Sequence, residues 1–84
     1  MNARMVRALA GEHSSDVLAS AVEALVEREE DALKTGAEDL GELLTHLMLA
    51  SRIRASMDSG VSLKDAFREE MAKVRTVVQN KPKA

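Results

Sequence analysis

The stretch EDLGELLTHLML, residues 38–49, holds the side chains best spaced to do chemistry. Asp39, Glu42 and His46 recur at i, i+3 and i+7, so on a helix they line one face. Two carboxylates one turn apart are hard oxygen donors of the kind Mg²⁺ takes, with an imidazole one turn further on. The alternative is a solvated face. The three groups would then meet water or pair with Arg52, Arg54 or a neighbour's base, because charged residues mostly stay exposed.

Other constellations are few. His13 and His46 are the only histidines and cysteine is absent, which leaves no zinc site of the ordinary type. The chain has no Gly-rich phosphate loop, no G-x-S-x-G elbow and no H-E-x-x-H pair. Residues 63–70, LKDAFREE, follow a turn as the reading helix of a helix-turn-helix would, but their three acids would be repelled by phosphates. Phe67 is the sole aromatic, so bases have no stacking platform. Nucleic acid is not an expected partner.

The elements that must position these groups are helices. Alanine, leucine, glutamate and arginine dominate, a composition that favours helix over sheet and predicts an all-α fold. With 84 residues the chain makes a single domain, and one of this size buries only about 60% of its unfolded surface. Disulfides are ruled out, so completion by a second copy is the expected remedy, as a homodimer or higher oligomer. The net charge of −2 hides a polar split: residues 12–42 carry ten acids against Arg28 and Lys34, whereas residues 43–84 carry eight bases against four acids. Such a split suits helices that pair with each other or with a second copy. No run of 18 apolar residues is present to span a membrane, and MNARMVRALAGEH is too interrupted for a secretory leader, so a cytoplasmic protein is expected.

Along the chain, residues 1–13 read as a flexible lead-in, residues 14–79 as three helices and residues 80–84 as a frayed tail. The first helix is predicted from about Asp16 to Lys34, capped by Ser14 or Ser15 and closed by Gly36. Thr35 and Glu38 have capping-box spacing, so the second helix, about Ala37 to Met57, is predicted to follow at once in a hairpin. Asp58-Ser59-Gly60 ends it. The third helix is predicted from Leu63 to about Gln79, with Leu63, Phe67, Met71, Val74 and Val78 as its stripe, packed across the hairpin.

At about 100° per residue, Leu40, Leu43, Leu44 and Leu47 make a core face on the middle helix. Leu49, Ile53 and Met57 fall elsewhere, at i, i+4 and i+8 on the side of Asp39, Glu42 and His46. An apolar strip left wet usually marks a contact. It is therefore the expected interface, covered by another helix or by a second copy, and Ile53→Asp is expected to dissociate an oligomer built on it.

The stretch EDLGELLTHLMLASRIRASMDSGVSLKDAFREEM, residues 38–71, resembles the second half of the all-α nucleotide pyrophosphohydrolases, the MazG-like proteins and phosphoribosyl-ATP pyrophosphohydrolase. Asp39-Leu40-Gly41-Glu42-Leu43-Leu44 and Thr45-His46-Leu47 stand in the family's E-E-L-G-D-L-L or A-D-L-L-Y-H-L-L block. Gly60-Val61-Ser62-Leu63-Lys64-Asp65-Ala66 stands in its Gly-turn and S/D-L-x-D-V block. The resemblance implies Mg²⁺ held by acids on two facing helices while water attacks a phosphoanhydride. Asp39 and Glu42 would supply the E-x-x-D pair with its acids exchanged. Of the E-E-x-x-E motif only Glu23 stands in place, with Glu27 one turn on. Arg68, Glu70 and Lys73 fall where the family holds phosphate, Glu70 with the opposite sign.

Two functions therefore stand side by side. The first is a small non-catalytic interaction or regulatory protein with no cofactor, working as an oligomer through protein contacts at Leu49, Ile53 and Met57 and through its acidic first helix. The second is an Mg²⁺-dependent nucleoside triphosphate pyrophosphohydrolase, with Glu23, Glu27, Asp39 and Glu42 as metal ligands. Whether the chain is an enzyme stays open between them.

Overall fold

A computed structural model describes residues 2–79, with side chains for residues 2–74; the tail expected at 80–84 lies outside the described residues. The described chain is an all-helical bundle: α1 (Ala3–Glu12), α2 (Ser15–Arg28), α3 (Leu40–Asp58) and α4 (Leu63–Gln79).

The expected flexible lead-in is helix α1. Asn2 caps it, its side-chain oxygen accepting from the Met5 amide at 3.1 Å. Val6, Leu9 and Ala10 recur at i, i+3 and i+4 and are buried. The expectation failed because the apolar face is short and flanked by arginines. Three small or branched residues on one stripe suffice to bury the helix once α3 offers a groove.

The hairpin with a tight link is also corrected. Helix α2 begins at the Ser14 cap, as expected, but ends at Arg28 rather than near Lys34. Glu29 turns left-handed at φ 51°, and the amides of Glu29 and Glu30 bond back to the carbonyls of Leu25 and Ala24. Glu29, Glu30 and Asp31 crowd the negative end of the helix dipole, which opposes further helix. The chain then runs through residues 29–39, partly packing Leu33 and Ala37 against the core. Thr35 does not cap a helix. Its hydroxyl donates to Asp31 at 2.9 Å, and the Gly36 amide donates to the same carboxylate at 3.0 Å. Asp39 caps α3 instead, accepting from the Glu42 amide at 3.1 Å.

Helix α3 is the central element, with α1, α2 and α4 packed around it. Its buried residues are Leu43, His46, Leu47, Leu49, Ala50 and Ile53. After the Gly60 turn (φ 108°), Ser62 caps α4 by accepting from Asp65, and α4 keeps the predicted bounds. The core joins Val6, Leu9 and Ala10 of α1 to Leu18, Ala21 and Leu25 of α2, to the α3 face and to Ala66 of α4.

Candidate functional site

Helix α1 is tied to α3 at both ends. The Asn2 amide donates to His46 Nε2 at 3.1 Å, and Arg54 donates to the Ala10 carbonyl at 3.3 Å. Asn2 to Ala10 and His46 to Arg54 advance equally, so α1 runs parallel to α3. Arg54 also bonds Asp58 at 3.1 Å, and Asp58 accepts from Ser15 at 2.8 Å. That chain of contacts fixes the α1–α2 corner on the end of α3.

This arrangement decides the fate of the expected interface. Leu49 is 5% exposed and Ile53 is 0% exposed within a single chain, and Met57 is half-buried. The strip sits in the chain's own core, so it needs no second copy to cover it.

The polar line on α3 is also redistributed. Asp39 is spent on capping, Glu42 is exposed and His46 is buried. Glu42 Oε1 approaches His46 Nε2 at 3.7 Å. Because Nε2 accepts from Asn2, the imidazole carries its proton on Nδ1, and Nδ1 is buried without a hydrogen-bond partner among the described residues. Asn2, Met5, Glu38, Asp39, Glu42 and His46 border a cavity of about 270 Å³. Glu23 and Glu27 stand exposed on α2 and do not border it. Among the described residues no three His, Asp or Glu groups gather in a way that could hold a metal ion. The four carboxylates Glu23, Glu27, Asp39 and Glu42 are thus not brought together as a ligand set.

Glu70, placed where the resemblance implies a phosphate-holding residue, has a structural partner. Glu70 is 5% exposed, and its carboxylate meets Arg52 of α3 at 3.3 Å and Lys73 at 3.8 Å. The Arg52–Glu70 contact links α3 to α4.

A concavity of about 730 Å³ lies between α1 and α4, within the range of ligand-binding clefts. Leu63, Phe67 and Met71 form its apolar floor, at i, i+4 and i+8 on α4 and half-buried. Arg7, Lys64 and Arg68 stand exposed around it. The Arg7 guanidinium sits over the Phe67 ring, 5.1 Å from its centre, and walls one side. Lys64 and Arg68 form no ion pair among the described residues. Sequence reasoning placed Leu63, Phe67 and Met71 in the core and Arg7 in a flexible segment. The signal available was the adjacency of Lys64 and Arg68 to the stripe, which marks the stripe's edge as reachable from solvent.

Comparison with known proteins adds a family. The model of a family of unknown function, DUF6952, matches residues 1–79, and the chain belongs to that family. No curated protein matches it. No solved structure matches it either.

Proposed function

We propose that this DUF6952 chain is a small non-catalytic interaction protein that docks an acidic, apolar-bearing protein surface in the groove between α1 and α4. The observation that carries this reading is the groove's composition: a half-buried floor of Leu63, Phe67 and Met71 framed by Arg7, Lys64 and Arg68. An apolar floor gives affinity through area removed from water, and the cations select the sign of the partner and steer its approach. Protein is favoured over nucleic acid because Asp65 and Glu69 interleave the cations of α4 and Arg7 covers the sole aromatic. A cytoplasmic setting and action as an oligomer belong to this reading. Among the described residues, no helix is long and apolar enough to cross a membrane. Hydrolysis of a nucleotide with Mg²⁺ has no comparable support, since its four expected ligands do not converge.

The test is a titration of the full chain with a synthetic acidic amphipathic helix, followed by backbone amide NMR. Shifts are expected to concentrate at Arg7 and Leu63–Ala72, and to vanish in Lys64→Glu/Arg68→Glu. Shifts elsewhere, or none, would remove the groove from the proposal. Shifts at Asp39 and Glu42 with Mg²⁺ and a nucleotide, accompanied by pyrophosphate release, would favour the hydrolase instead.

A further inference from the structure

Resting on that reading of the groove, we infer that its occupant is the exposed face of α2 from a second copy of the chain, docked head to tail. Among the described residues Val26 is the most exposed of the large apolar ones, at 63%. It continues an edge with exposed Ala19 and half-buried Val22, at i, i+3 and i+7. Beside that edge stand Glu23 and Glu27, both exposed and neither in an ion pair among the described residues. Helix α4 presents the complement: an apolar edge of Leu63, Phe67 and Met71 beside Lys64 and Arg68. The acids are spaced i, i+4 and so are the bases, each pair about 6 Å apart along its helix axis. Two such helices laid side by side bring both charge pairs into register while their apolar edges meet. Like charges keep two grooves, or two α2 faces, from pairing with themselves.

A contact between two different surfaces of one chain is heterologous, so it leaves a free groove at one end and a free α2 face at the other. It builds a ring or an open chain of copies, and it is screened by salt. Self-association, expected from the sequence at the α3 strip, is thereby placed on two surface helices.

The experiment uses sedimentation equilibrium of the full chain and two variants whose changes lie on the surface or at the groove edge. Lys64→Glu/Arg68→Glu disables the groove and leaves α2 intact. Glu23→Gln/Val26→Ser/Glu27→Gln disables the α2 face and leaves the groove intact. The unaltered chain is expected above monomer mass at low salt and to fall toward monomer in about 0.5 M salt. Each variant alone is expected to be monomeric, with association weakened at least tenfold. Their equimolar mixture is expected to give a 1:1 dimer that does not grow, because only one productive contact is left. Circular dichroism of each variant confirms that the helices persist. A monomeric unaltered chain overturns the inference, as does an oligomer indifferent to either variant. Loss of association in the groove variant alone assigns the groove a different occupant: the α2 inference fails and the proposed docking function stands.

Discussion

Two acidic side chains show how environment sets a residue's worth. Burial alone would raise the Asp31 carboxyl, but the Thr35 amide and hydroxyl and the amides of Gly36 and Lys34 donate toward it and hold it below the ordinary carboxylate value. A lowered folded value contributes stability that is fully present above the unfolded value of about 3.9 and is lost as pH falls through the folded one. Thermal melts of Asp31→Asn should therefore lie below those of the unaltered chain at neutral pH, by about 1 kcal/mol for lost hydrogen bonds. The gap should close as the pH is taken below about 4; a gap that widens in acid would contradict this assignment. Glu70 is the converse case, a buried carboxylate whose partners are exposed: the Arg52 and Lys73 side chains are 62% and 75% accessible. Both cations stay hydrated when the acid is removed. Glu70→Met, which keeps the volume and drops the desolvation cost, should be within about 1 kcal/mol of neutral in urea unfolding, whereas Glu70→Ala should cost about 2 kcal/mol. Equal losses in the two would mean that charge, not packing, holds α4 there.

At the scale of elements, α1 carries the account. It is short, yet it buries Val6, Leu9 and Ala10, supplies Arg7 to the groove and is tied to α3 through His46 and Arg54. Leu9→Ala should accordingly cost about 2–4 kcal/mol by chemical denaturation, as core leucines do, while exposed Arg4→Ala should stay within about 0.5 kcal/mol. Matching small effects at both positions would mean that α1 merely rests on the bundle. How much of this was legible in the sequence follows from the kind of signal each element carried. Helix α4 was read to its bounds because Ser62, Asp65 and a five-membered stripe agree, and α2 was read at its start because Ser14 caps it. The end of α2 at Arg28 is not legible, because Gly36 has the form of a helix-closing glycine. The turn at residues 31–36 uses Gly36 to close around a carboxylate. Helix α1 was missed because three buried residues become a stripe only when the neighbour that covers them is known. The acidic set on α3 is legible as a face but not as a site, since Asp39 is taken up in capping α3 and the contact of His46 with Asn2 depends on where α1 lands.

For the whole molecule, the question is where a partner can reach it. The bundle closes over Leu43, Leu47, Leu49 and Ile53 of α3; besides Leu40 and Met48 on α3, accessible apolar ground among the described residues lies at two places of opposite charge, the α1/α4 groove and the outer face of α2. In the proposed contact the acidic first half and basic second half, a feature of composition alone, supply two surfaces of complementary charge. A contact surface on α3 and a contact surface on α4 make opposite demands on two substitutions. Ile53→Asp puts an unpaired charge at a fully buried position and should unfold the chain, whereas Lys64→Glu/Arg68→Glu alters exposed groups and should leave the fold intact while abolishing association. Sedimentation velocity read together with helical ellipticity on these two variants tests the location of the contact most directly. We predict an unfolded Ile53→Asp beside a folded, monomeric groove variant; a folded, dissociated Ile53→Asp beside a groove variant that keeps its oligomeric mass would contradict it.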